Sequence, residues 1–348
     1  WSALLKKPAL DSIFLGGGTP TLLTEKQLAG LLGELFRRFR PSPRTGLAVE
    51  ANPDSVTREK LEVLAGFGLT YLSLGMQSLD DAVLAAAQRP HTAARARESF
   101  DLARQKTRAW INIDLMAGLE AQSRESFLRD AAIAASWRPD SVHVSAFNPT
   151  RFTLWAKSQS PSVPEEGSSW PRWVSEGFEL LSRRGYHRVS EFRAVLRSGP
   201  RGRLADQEGI RDLTLGLGVG AISHAGGRLR AQNAETLAGY QDAALGGRLP
   251  VARGCVRTER QEKIAFLLSS WGRREVVDPA RFRREFGEDA ESLFGRQLAG
   301  LEAAGVLRRE CGKYVLAGHP AAELEIARAF YEDAVVRRLA EKFKVSHG

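Results

Sequence analysis

Three consecutive glycines, Gly16-Gly17-Gly18, end the apolar run Phe14-Leu15 and lead into Thr19-Pro20. A strand that runs into bare backbone lets a ligand approach where any side chain would obstruct it. Carbonyls there can accept from an ammonium group, and free N–H groups can meet a carboxylate. Neither the phosphate loop nor the dinucleotide fingerprint fits, because the trailing GxxG and the GK[ST] are missing; a plain tight turn is the alternative. Further along stand Glu50 in Val49-Glu50-Ala51-Asn52-Pro53, Gln77 in Gly75-Met76-Gln77-Ser78, Arg89 in Arg89-Pro90-His91 and Asp114 in Asn112-Ile113-Asp114. Each lies at, or just past, the carboxyl end of an expected strand. Two carboxylates, an amide and a guanidinium suit a zwitterionic ligand with a ribose: Arg pairs with its carboxylate, and the acids take its ammonium or hydroxyls. Taken singly, Glu50 and Asp114 also read as helix caps, Arg89 as a surface pair and Gln77 as a strand-end amide. His91, His143 and His224 form no metal spacing.

These residues converge only if the strands run parallel, which the order of elements predicts. Strands are expected over 12–15, 47–50, 71–74, 110–115, 141–147 and 188–192. Between them come helices opened by Thr24 (with Gln27 at the capping-box position), Thr57 and Asp80, and helices over 93–106, 123–136 and 171–184. Repeated β-α units give parallel strands with helices outside. Polar residues at successive strand ends favour an open or closed barrel over a doubly wound sheet, because barrel sites are built there. The order alone does not decide it. A glycine-rich run over 213–222 closes this part. After about residue 249 the pattern changes to helices over 258–271, 279–286 and 291–304, a hairpin about Cys311-Gly312, and a long helix over 319–343. This reads as a small, mostly helical, winged-helix-like domain with a structural role. The expected domains are 1–248 and 249–348.

The 348 residues are 43% hydrophobic and carry a net charge of +9 from scattered rather than clustered Lys and Arg. A solvated, Arg-rich surface is the first reading; nucleic acid is not an expected partner, and a basic mouth for an acidic substrate stays open. No apolar run reaches the roughly 18 residues a membrane span needs, and no secretory signal opens the chain. Two cysteines, Cys255 and Cys311, lack metal-ligand spacing and exclude a disulfide scaffold, so a reducing, cytoplasmic compartment is expected.

The ordered set from Gly16-Gly17-Gly18-Thr19-Pro20 through Asn112-Ile113-Asp114 resembles the oxygen-independent coproporphyrinogen III oxidase-like branch of the radical S-adenosylmethionine (SAM) enzymes. Leu217-Gly218-Val219-Gly220-Ala221-Ile222-Ser223 and Ala231-Gln232-Asn233 resemble that family's last barrel strand and the turn after it. The resemblance implies an α/β fold, a partial (β/α) TIM-type barrel, holding SAM against a four-iron cluster, with a second SAM in some members. It places Gly16, Gly17 and Thr19 at the methionine end of SAM and Glu50 at its polar groups. Gln77, Arg89 and Asp114 would take the carboxylate and ribose, with Met116 by an adenosine or a second cofactor. Asn148 and Ala221 would face the second SAM or the substrate. The cluster-binding CxxxCxxC is absent here and is expected upstream, because residues 1–7 read as the tail of a first helix; no metal ligand is expected in this chain. The implied substrate is a natural-product intermediate or a porphyrinogen, and the implied electron donor is a flavodoxin or ferredoxin.

Two departures shape the expected reaction. Gly118-Leu119-Glu120-Ala121-Gln122 stands where members often carry Gly-Leu-Pro-Gly-Gln. Residues 207–212 replace a His-Asn…Tyr-Trp stretch of the haem-chaperone branch. The sequence thus points slightly towards class C methyl or methylene transfer to an sp2 carbon, ahead of coproporphyrinogen oxidation, with a non-catalytic haem- or SAM-binding relative as the third reading.

Overall fold

The computed structural model describes residues 5–6, 8–147, 170–190, 192–196, 213–272, 277–317 and 322–331. They divide into two compact units, residues 1–207 and 208–348. The first is built on a seven-stranded sheet. Its strands are β1 (Ala9–Leu15), β2 (Arg40–Ala51), β3 (Leu69–Gln77), β4 (Trp110–Ala117), β5 (Ser141–Ala146), β6 (Tyr186–Arg188) and β7 (Arg193–Leu196), in the order β1-β2-β3-β4-β5-β7-β6. The first five run parallel. The connecting helices are α1 (Glu25–Arg38), α2 (Arg58–Gly66), α3 (Asp81–Ala86), α4 (Ala93–Lys106), α5 (Arg124–Ser136) and α6 (Trp170–Arg183).

Local chemistry starts these helices where the sequence reading put them. Thr24 accepts from Gln27 N while Gln27 Oε1 accepts from Thr24 N, a closed capping box. The side chains of Thr57, Asp80, Thr92 and Ser123 accept from first-turn N–H groups of the next four, with a second closed capping box at Ser123.

The alternation along each strand then decides the layers. Val49 and Ala51, Leu72, Leu74 and Met76, Ile111, Ile113 and Leu115, and Val142 and Val144 are buried on one face. They pack with Leu32, Leu61, Leu64, Phe100, Phe127, Phe178 and Leu181 of the helices. Each such side chain taken from water stabilises the fold by roughly 1.5–3 kcal/mol. The intervening residues share the other face.

Two expectations are corrected. The single strand over 188–192 is a hairpin of β6 and β7; β7 runs antiparallel to both β5 and β6. A four-residue connection has no room for the crossover a parallel strand needs. The expected last barrel strand is not in this sheet either. Ile222–Ala225 (β8) turns through Gly226 and Gly227, both at positive φ, and pairs antiparallel with β9 (Leu229–Asn233), which pairs with β10 (Val251–Val256). Those pairings tie residues 222–233 to a strand beyond 248, so the compact units part earlier in the chain than the expected division at 248/249.

The second unit continues with α7 (Leu237–Leu245), α8 (Glu259–Gly272), α9 (Pro279–Phe286), α10 (Ala290–Ala303), β11 (Leu307–Glu310), β12 (Lys313–Leu316) and α11 (Ala322–Phe330). Its core gathers Leu267, Phe282, Phe294, Leu298, Leu301, Leu307 and Tyr314. The β11–β12 hairpin turns on Cys311 (φ 48°) and Gly312 (φ 76°), the left-handed pair that a two-residue hairpin of type I′ requires. The rest of the expected long terminal helix lies outside the described residues.

Candidate functional site

The face of the sheet opposite the packed helices is polar. Parallel sheets are ordinarily covered by apolar packing on both sides; here one face carries Glu50, Tyr71, Ser73, Gln77, Asn112, Asp114, Met116, Ser141, His143 and Arg193, at positions that alternate with the core residues of the same strands. Two hydrogen-bonded networks run across it.

The first joins the glycine run to the end of β3. Gly17 N donates to Glu50 Oε2 at 3.1 Å. Gly17 (φ 79°) and Gly18 (φ 124°) occupy left-handed backbone with open space around them. A Cβ on Gly16 would sit 2.4 Å from the Phe14 ring and 2.9 Å from Glu50 Oε2, so glycine is what lets the loop lie against that carboxylate. Asn52 Nδ2 donates to Thr19 Oγ1 at 3.0 Å, and Arg89 Nη2 donates to Asn52 Oδ1 at 2.9 Å and to the Gly75 carbonyl at 3.2 Å. Gln77 holds a left-handed φ of 65° at the strand end, with its amide nitrogen beside Gly75. Arg89 Nε is buried with no partner among the described residues, an orphan donor of the kind a bound anion satisfies.

The second network surrounds Asp114. Ser73 Oγ donates to Oδ2 at 2.8 Å and Asn112 Nδ2 to Oδ1 at 2.7 Å. Asn112 Nδ2 also donates to Ser73 Oγ, and Ser141 Oγ donates to Asn112 Oδ1 at 2.7 Å. His143 Nδ1 lies 3.6 Å from Asp114 Oδ1, with 42% and 28% of the two side chains exposed. Burial pushes the Asp114 carboxyl upward against the opposing pull of His143, Ser73 and Asn112. Burial likewise draws His143 down, and raises Glu50 in spite of the Gly17 N–H. Burial takes Tyr71 to about 12. The networks meet in register: Glu50 pairs with Ser73, and Gly75 with Asp114.

Gly16, Gly17, Thr19, Glu50, Gln77, Arg89 and Asp114 therefore come together, and Met116 follows Asp114 on the same face. Asn148 lies outside the described residues. Ala221 belongs to the second unit, where its carbonyl accepts from Asn233 N. The altered turn is closed by its own glutamine. Gln122 Oε1 accepts from Gly118 N at 2.7 Å and Leu119 N, its Nε2 donates to the Met116 carbonyl, and Ala121 takes a φ of 60°. Sequence reasoning missed Asn52, Ser73, Asn112, His143 and Arg193 as members; the period-2 pattern around Asp114 was the available signal.

These residues fit a sulfonium amino acid with a ribose: carboxylates for ammonium and hydroxyls, an arginine with a spare donor, and open glycine backbone. They do not fit an iron–sulfur cluster. The described residues hold no group of three or more His, Cys, Asp or Glu able to take a metal, and Cys255 and Cys311 are exposed on β10 and the β11–β12 turn.

The model of the radical SAM superfamily matches residues 2–131, which contain every residue of both networks except Ser141 and His143. The chain carries a radical SAM domain with homology to coproporphyrinogen III oxidase-like proteins. It is 29% identical to the heme chaperone HemW of Bacillus subtilis over 315 residues, 86% of this chain and 80% of that protein. It is 27% identical to the oxygen-independent coproporphyrinogen III oxidase of Pseudomonas aeruginosa over 335 residues, 87% and 71% of the two. The match to HemW of Haemophilus influenzae is 32% over 184 residues, and it spans only 47% of that protein. In structure the chain resembles the coproporphyrinogen III oxidase HemN of Escherichia coli with a TM-score of 0.77 at 22% identity, over 92% of this chain and 78% of that one. That likeness speaks for the fold alone. No helix among the described residues is long and apolar enough to cross a membrane.

Proposed function

We propose that the polar face binds SAM and that the protein acts on a tetrapyrrole, as an oxygen-independent oxidase of propionate side chains. The observation that carries the first half is the convergence of bare glycine backbone, Glu50, Asp114 and the orphaned Arg89 Nε on one face. When bound, SAM would supply a reductively cleavable sulfonium for radical chemistry, with a flavodoxin or ferredoxin as the class of electron donor. The chain's own residues position it. Arg89 takes the carboxylate, Gly16, Gly17 and Thr19 line the methionine end, and Glu50, Gln77 and Asp114 hold the ammonium and ribose hydroxyls. Met116 lies beside the adenosine or a second SAM. With Asn148, Ala221 is assigned to a second SAM or the substrate. The cytoplasm is the proposed compartment, and 1–248 the proposed catalytic part.

The tetrapyrrole half rests on the relatives, whose names are heme chaperones and coproporphyrinogen oxidases. Methyl or methylene transfer, favoured by the sequence alone, finds no support in them. A haem-carrying role is the second reading, favoured by the long alignment with the Bacillus protein, although residues 207–212 lack the chaperone stretch. The deciding experiment incubates the protein produced from its whole gene, anaerobically reconstituted and reduced, with SAM and coproporphyrinogen III. Loss of carbon dioxide together with two hydrogens for each propionate converted to a vinyl group is the expected result. Stoichiometric haem uptake without turnover selects the chaperone, and neither uptake nor turnover overturns the tetrapyrrole reading.

A further inference from the structure

We infer that Arg193 and His143, walled by Phe192, form a carboxylate-anchoring subsite that fixes the acidic rim of the substrate beside the SAM site; this rests on the tetrapyrrole reading above. Strand register places Gly75, Asp114, His143 and Arg193 in one row across β3, β4, β5 and β7. At about 4.8 Å per strand, the guanidinium strand stands two strands, or about 10 Å, from the Asp114 strand. Asp114 is not the counter-ion of Arg193. Its oxygens are taken by Ser73 and Asn112, with His143 next in line. No ion pair or side-chain hydrogen bond joins Arg193 to any described residue. By register and strand alternation Arg193 shares the polar face with Tyr71, Asp114 and His143, while Ala194 and Leu196 face the core. A half-buried arginine at a polar face, with no carboxylate partner among the described residues, is a ready anchor for a carboxylate that arrives with a ligand.

The surroundings specify which ligand. Phe192, 43% exposed, stacks its ring on His143 at 5.8 Å between centroids and 35° between planes. The β6–β7 turn is fixed by the Val144 N–H donating to the Phe192 carbonyl at 2.7 Å. A flat apolar wall next to a guanidinium and an imidazole N–H matches a planar macrocycle with carboxylates on its rim. A phosphate would need more donors and no wall.

The test compares coproporphyrin III with its tetramethyl ester by fluorescence titration of wild type, Arg193→Gln, Arg193→Lys and His143→Gln, with SAM affinity measured on each. The free acid should bind Arg193→Gln at least tenfold more weakly than wild type and Arg193→Lys within about threefold. The ester should bind all four alike and more weakly than the acid binds wild type, and SAM affinity should move less than threefold in the arginine variants. Equal affinity of wild type and Arg193→Gln for the acid overturns the subsite and leaves the tetrapyrrole reading standing. Loss of acid and ester together in Arg193→Gln also overturns it, as a general disturbance of the face. Failure of wild type to bind either compound overturns both.

Discussion

The two faces of the seven-stranded sheet are made of the same strands and obey opposite rules. On the helix side, Leu72, Leu74, Ile111, Ile113, Val142 and Val144 are fully buried and interchangeable in kind: each supplies apolar area and shape. On the polar side, Ser73, Asn112, Asp114 and Ser141 are chained by directed hydrogen bonds in which each partner matters individually, with His143 3.6 Å from Asp114 and Glu50 held by the Gly17 N–H. The contrast teaches that this sheet keeps its apolar packing on one side and its directed polar groups on the other, so substitutions one residue apart should have separable effects.

The largest effect should come from the packed side. Ile113→Ala should cost about 2–5 kcal/mol of stability in chemical denaturation, while SAM affinity of the folded fraction stays within threefold. The packed layer holds one informative exception. Asp130 of α5 is buried and accepts from Ser78 Oγ at 2.6 Å, and burial raises its carboxyl to about 6 from an ordinary 3.8. A group whose folded pKa is raised contributes stability that is present below about 4 and lost as the pH rises through about 6. Asp130→Asn should remove that loss. Its stability relative to wild type should grow between pH 4 and 7 by on the order of 2–3 kcal/mol, read from denaturation midpoints, and a difference independent of pH would contradict the assignment. On the polar side, Arg89→Ala should weaken SAM binding about 10–100-fold, the loss of a charge-assisted contact of about 1.5–3 kcal/mol, with a smaller effect on stability than Ile113→Ala. The smallest effect should be Gly16→Ala. Its Cβ displaces the Phe14 ring and the Glu50 carboxylate, and calorimetry should show SAM affinity down about tenfold or less, with the melting temperature little changed.

The packed face was the legible one. Runs such as Ile111-Asn112-Ile113 and the caps Thr24, Thr92 and Ser123 report themselves through periodicity and local hydrogen bonding, which a sequence carries directly. The glycine run and Glu50, Gln77, Arg89 and Asp114 were legible because each sits at a strand end, where a polar residue is conspicuous. Ser73, Asn112 and His143 lie inside strands. There a polar residue reads as ordinary alternation until its neighbours on adjacent strands are known, and register is a nonlocal property. The β6–β7 hairpin reads as one strand in the sequence because Val189 and Phe192 stand between the two strands and the usual glycine or asparagine signal is missing. The stretch Leu217–Ser223 was assigned to the barrel by resemblance, whereas its strand partner is set by the Gly226-Gly227 turn.

The account stands most directly on a calorimetric titration of SAM into wild type, Asp114→Asn and Ile113→Val, adjacent residues of one strand facing opposite ways. Saturable binding to wild type and Ile113→Val, with Asp114→Asn weakened at least tenfold while its melting temperature stays within a few degrees, is the predicted outcome. Equal affinity in all three proteins would contradict the claim that the polar face is where this chain holds its ligand.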